Sequence, residues 1–116
     1  MVCSPCILST GRLLYIHIGI YKGDVEFTLD ERKNRVNQRK HGIRFETAIW
    51  VFDDPFQLSH QDREVEGEAR WQTIGMVQGV RILVVAHTVE EDEKMIRILS
   101  ARKATPRERR IYAQGY

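Results

Sequence analysis

Five consecutive apolar residues, Ile82-Leu83-Val84-Val85-Ala86, stand at the centre of a strand-like run over residues 81–89. A run this short and this continuously apolar fits a strand with neighbours on both edges and cover on both faces. The flanking residues supply those neighbours. Gln78-Gly79 is a hairpin-type turn that joins residues 70–77 as the preceding strand. The acidic Glu90-Glu91-Asp92-Glu93 makes the next turn, and residues 94–101 form a third strand. A helix then opens on Thr105 as N-cap, with Pro106 at the first helical position and Glu108 completing a T-x-x-E capping box. It runs to about Ala113, and Gly115 stops it.

Upstream, Val25-Glu26-Phe27-Thr28 alternates as a short strand. Asp30 is a good N-cap for a helix through about Arg39, and Gly42 is its C-terminal stop. Phe45, Ala48, Ile49 and Phe52 fall at helical spacing, and Asp53-Asp54-Pro55 ends that second helix. The expected order is β-α-α-β-β-β-α, an α+β domain with an antiparallel meander. With 116 residues the chain is long enough for one modest core. The domain is expected over residues 25–116. Residues 1–24 read either as an ordinary extra strand or as a translated leader ahead of a start at Val25. The leader reading draws on codons, since Lys22-Gly23-Asp24 is compatible with a purine-rich ribosome-binding sequence.

Charge is distributed unevenly. The net charge is only +2, yet thirteen of the eighteen Lys and Arg residues fall in residues 32–44 and 94–110. Residues 46–93 hold eleven Asp and Glu against Arg63, Arg70 and Arg81. A molecule polarised in this way suits an anionic ligand on one side and a cationic partner on the other. Cys3 and Cys6 form a lone C-x-x-C, weak evidence for zinc, and no disulfide framework is present, which fits a reducing cytoplasm. The apolar residues 7–21 contain Arg12 and His17 and are short for a membrane span.

Several phrases in order carry a resemblance. They are Asp30-x-x-Lys33-Asn34, Asn37-x-x-Lys40-His41-Gly42-Ile43-x-Phe45-Glu46-x-Ala48, Phe52-Asp53-Asp54-Pro55, Glu68-x-Arg70-Trp71-x-x-Ile74-Gly75, and residues 96–112 with Arg97, Arg102, Lys103, Thr105, Glu108, Arg109 and Tyr112. Together they span nearly all of residues 25–112 and resemble the BrnT family of bacterial toxins. The resemblance implies a RelE-like fold and a ribonuclease that stops translation. It also implies neutralisation by a BrnA-type antitoxin of ribbon-helix-helix kind, with operator DNA bound only through the toxin–antitoxin complex. Two departures stand out: residues 1–24 are unmatched, and residues 88–93 are acidic where the family often carries an arginine.

Cleavage of RNA without metal or cofactor requires a positioned 2′-OH, stabilisation of charge on phosphorus and protonation of the leaving 5′-oxygen. Arginine suits the second task because its planar fork pairs two phosphate oxygens. Arg102, at a strand end beside a helix N-terminus, leads the expectation, with a solvated strand end or an antitoxin contact as its alternative; Arg70 and Arg97 follow, with a surface ion pair to Glu68 or a neighbour and cross-strand pairing as theirs. Strict alternation puts Arg97 and Arg102 on opposite faces unless a bulge intervenes. Histidine suits proton transfer, and His41 and His87 are candidates. His41 has a helix C-terminal role as its alternative; His87 is expected at an exposed strand end. Lys40, Trp71, Lys103, Arg107, Arg109, Arg110 and Tyr112 are expected to meet RNA, the four cations of residues 103–110 equally an antitoxin; Trp71 and Tyr112 suit packing as well. No acidic cluster has metal-ligand spacing. A non-catalytic module binding nucleic acid or protein is the alternative function.

Overall fold

In a computed structural model, which describes residues 17–22, 25–90 and 94–115, six strands form one sheet. The strands are β1 (His17–Lys22), β2 (Val25–Asp30), β3 (Leu58–Val65), β4 (Glu68–Val77), β5 (Arg81–Glu90) and β6 (Met95–Lys103). The helices are α1 (Glu31–His41), α2 (Phe45–Ala48) and α3 (Pro106–Gln114), with a 3-10 turn over Ile49–Asp53. Spatial order is β1-β2-β6-β5-β4-β3. The apolar run of β5 therefore lies between β4 and β6, as its composition requires. β3 to β6 form an antiparallel meander, while β2 joins β6 in parallel.

The observed order corrects the sequence reading by two strands. β3 reads LSHQDREV, with no apolar alternation to announce it. It is held instead by β4, through a turn whose Glu66 (φ 53°) and Gly67 (φ 81°) both take the left-handed conformation that matches hairpin twist. β1 pairs antiparallel with β2. Cys3 and Cys6 lie outside the described residues, as do most of the acidic turn residues, Glu91, Asp92 and Glu93. The expected helix over residues 45–52 is α-helical only to Ala48 and then tightens into the 3-10 turn. That tightening lays Ile49 and Val51 on the sheet, where both are buried.

Alternation divides the sheet into two faces. Leu83 and Val85 of β5, Phe27 and Leu29 of β2, and Ile96 and Ile98 of β6 pack with Ile43, Phe45, Ala48 and Val51 to form the core. On the reverse, Ile74, Val84 and Ala104 form a small cluster with Ile82 and Tyr112. We call these the core face and the open face. Gly75 shows how closely the 3-10 turn meets the core face: a Cβ there would lie 2.7 Å from Val51 Cγ1 and 2.9 Å from the Val51 carbonyl oxygen. Because one of those atoms is backbone, Gly75→Ala is expected to cost about 2 kcal/mol. In a thermal melt this is a drop of roughly 10 °C; an unchanged melting temperature would show that the turn yields freely.

The edge of β6 beyond its short pairing with β2 is closed by a side chain. Asn37 of α1 is buried; its amide donates to the Ala101 carbonyl and accepts from the Ala101 N–H, and also donates to the Ile43 carbonyl. Asn34, one turn earlier, receives the Phe45 N–H at 2.8 Å and donates to Glu46, fixing the start of α2.

Candidate active site

The register places the arginines. His87 pairs with Ile98 but Ala86 pairs with Ser100, so Leu99 is an extra residue and β6 bulges there. Arg97 lies opposite Thr88, and Arg102 opposite Val84. Thr88 and Val84 share one face of β5, so the bulge brings both arginines to the open face. Trp71 pairs with His87, which sets Arg70 beside Thr88 on that same face. Arg70, Thr88 and Arg97 thus form a row across β4, β5 and β6.

Glu68, two residues before Arg70 on the same side of β4, ties the row together. Its Oε1 accepts from Arg97 Nη2 at 2.8 Å and lies 3.5 Å from Arg70 Nη2. These three side chains are each about a third exposed. The Nε atoms of Arg70 and Arg97 and the Oγ1 of Thr88 are buried with no hydrogen-bond partner among the described residues. Two guanidinium groups that reach one carboxylate oxygen are an arrangement that can hold an anion. The sequence signal for Glu68 was the i, i+2 spacing to Arg70, which puts both on one side of a strand.

Arg102 shares the face but is already engaged. Its two terminal nitrogens fork the Glu108 carboxylate at 2.8 and 2.9 Å, and Glu108 also accepts from the Thr105 N–H at 2.8 Å. The fork to Arg102 holds the Glu108 carboxyl down to about 2 from an ordinary 4.5, against the opposing effect of burial. A carboxyl depressed in the folded state contributes stability that is complete above its unfolded value and is lost as pH falls through its folded value. Acid titration from pH 4.5 to 2 is therefore expected to remove about 1–2 kcal/mol, discounted for partial exposure. Glu108→Gln should flatten that part of the stability–pH curve; an identical curve would show that the fork contributes nothing.

The histidines separate. His87 lies on the core face and is 3% exposed, which corrects the expectation of an exposed strand end. Its Nε2 is 2.7 Å from Thr73 Oγ1, which in turn is 2.6 Å from Ser59 Oγ, and Phe52 meets its ring edge-on. Burial lowers its pKa to about 4 against the opposing effect of the Thr88 backbone, so the ring is neutral at pH 7. His41 is exposed in the last turn of α1 beside Lys40, away from the arginine row. His60 of β3, opposite Gln72, lies on the open face, and the sequence does not single it out.

The remaining candidates also divide. Trp71 faces opposite to Arg70 and borders a hollow of about 240 Å³ with Phe52, His87 and Val89. Lys103, Arg107, Arg109 and Arg110 are exposed, although Arg109 donates to the Ala104 carbonyl at 3.1 Å. Tyr112 packs beneath α3, and its hydroxyl donates to Asp54 Oδ2 at 2.5 Å. Burial and the Asp54 carboxylate push the Tyr112 pKa up to about 12. Asp54 also accepts the Phe56 and Met76 N–H groups; burial opposes its ionisation, but these bonds outweigh it and leave its pKa lowered. Asp54-Pro55 therefore does more than end a helix: it ties the 3-10 turn to β4 and α3. Among the described residues, no three His, Cys, Asp or Glu side chains converge as metal ligands, and no helix is long and apolar enough to cross a membrane.

No curated protein matches the chain. Its structure is similar to the crystal structure of the Brucella abortus ribonuclease toxin BrnT, with 22% identity and a TM-score of 0.49, covering 66% of this chain and 92% of that one. Residues 29–108, more than half of the sequence, match the family model described as the ribonuclease toxin BrnT of type II toxin–antitoxin systems. The chain belongs to the BrnT family of ribonuclease toxins.

Proposed function

We propose that this chain is a metal-independent endoribonuclease whose catalytic groups lie on the open face of the sheet. The observation that carries the reading is the convergence of Arg70 and Arg97 on one oxygen of Glu68, with both Nε atoms and Thr88 Oγ1 unpartnered among the described residues. A phosphate entering the row takes over the guanidinium forks and frees the carboxylate. Glu68 then accepts the proton of the adjacent 2′-OH as that oxygen bonds to phosphorus. The arginines hold the charge that builds on the equatorial oxygens. The bond from phosphorus to the 5′-oxygen breaks, and that oxygen leaves with a proton from solvent. The products are a 2′,3′-cyclic phosphate and a 5′-hydroxyl.

In this reading the working unit is residues 25–116, the superfamily is RelE-like, and cleavage in the bacterial cytoplasm inhibits translation. A BrnA-type ribbon-helix-helix antitoxin neutralises it, and the complex contacts operator DNA through that partner. Arg102 serves α3 through Glu108, and the exposed Arg107 and Arg110 are available to RNA or antitoxin. The test is to incubate purified protein with RNA in EDTA and map the ends. Cyclic phosphate ends support the proposal. Salt-sensitive binding without scission would instead favour a non-catalytic binding module.

A further inference from the structure

The open face continues past the arginine row into a groove between β4 and α3, with a volume of about 530 Å³. Its apolar surfaces come from Leu58, Ile74 and Ile111, and its polar rim from His60, Gln72 and Arg107. The side chains of His60, Gln72 and Arg107 make no hydrogen bond or ion pair to another described residue. The groove thus joins apolar walls to donors and acceptors that no other described residue uses. Its size is in the range of pockets that hold small organic ligands.

We propose that this groove is a subsite for one unpaired nucleobase of an RNA strand whose neighbouring phosphate occupies the Arg70–Arg97 clamp. The proposal rests on the ribonuclease reading above and adds a specificity site to it. Gln72 and Arg70 are two residues apart on one strand, so they project from the same face about 7 Å from each other. That separation is close to the span of one nucleotide. A nucleobase has apolar faces and a hydrogen-bonding edge, which match the Ile74 and Ile111 walls and the Gln72 and His60 rim. Gln72 offers both a carbonyl and an amide, so it can read an edge bearing either kind of group. Charge is complementary along the path, with Arg70 and Arg97 at one end and Arg107 at the other; Arg102, between them, is neutralised by Glu108. A base held in a duplex cannot enter such a groove, so the substrate class is single-stranded RNA.

The experiment uses the full chain, a pool of RNA oligonucleotides randomised in sequence, and the variants Gln72→Ala and His60→Ala. A parallel binding measurement uses an oligonucleotide with 2′-deoxy substitutions that block cleavage. Expected results are about a tenfold rise in KM with kcat within threefold, an altered base preference beside the cut, and about tenfold weaker binding of the blocked strand. Wild-type preference and KM in both variants would overturn the proposal. So would unchanged RNA binding combined with weakened antitoxin binding, which would assign the groove to the antitoxin. If the wild type cuts nothing, the ribonuclease reading fails, and the binding measurement judges the groove alone: equal binding by wild type and variants overturns it.

Discussion

Replacing Arg70 or Arg97 with alanine is expected to lower kcat for RNA cleavage by a factor of about 10²–10³, the usual cost of one preorganised donor to a transition-state oxyanion. Because both guanidinium groups serve the same phosphate, the double variant should lose much less than the product of the single losses. Arginine-to-lysine exchange should recover little, since lysine lacks the fork. Stability should scarcely change. The ion pairs to Glu68 are about one-third exposed, and pairs of that kind contribute at most about 1 kcal/mol. Arg102→Ala provides the contrast. It removes the fork to Glu108 and loosens the start of α3, so it should lower the melting temperature more than the turnover. Single-turnover cleavage together with thermal melts separates these cases. Full activity in Arg70→Ala and Arg97→Ala would remove the row from the active site, whatever Arg102 does.

The largest expected loss of stability lies at Asn37. Asn37→Ala removes three hydrogen bonds at once and leaves the Ala101 N–H and the Ala101 and Ile43 carbonyls without their partner. With roughly 1–3 kcal/mol for each buried group left unsatisfied, and allowing for relaxation, the cost is about 3–4 kcal/mol. That is a large share of the roughly 5–15 kcal/mol that holds a typical domain together. The melting temperature should fall by about 15–25 °C. Hydrogen exchange gives the specific readout: the Ala101 amide should lose protection ahead of the Val85 amide on the neighbouring strand. Equal protection in wild type and variant would show that another group closes this edge. Asn37→Asp should be no better, because it sets a carboxylate oxygen against two carbonyls.

What was legible in the sequence follows from which forces act locally. The centre of β5 and the caps of α1 and α3 were readable because apolar continuity and capping chemistry are properties of neighbouring residues. Asp30 and Thr105 cap as expected. β3 was not readable: its residues are polar on both sides, and its pairing partner, not its own composition, makes it a strand. The faces of the strands were only half readable. Alternation correctly raised the conflict between Arg97 and Arg102, but the bulge at Leu99 that resolves it depends on β5. His87 looked terminal in sequence, yet the 3-10 turn folds Phe52 over it. Glu68 was visible beside Arg70, but its second arginine is 29 positions away along the chain. Asn37 lay within the motif resembling the family, and only the path of α1 against β6 reveals why an amide is needed there.

The two faces of the sheet divide the ways in which this protein can be disarmed. Along β4, successive positions answer to different demands: Thr73 to folding, Arg70 and Gln72 to the surface where RNA is proposed to lie. A population selected to survive the toxin should therefore collect substitutions in a period-two rhythm. Changes on the core face would reduce the amount of protein. Changes at Arg70 and Arg97 on the open face would leave a stable, abundant and inactive chain, still able to engage an antitoxin that recognises other surfaces.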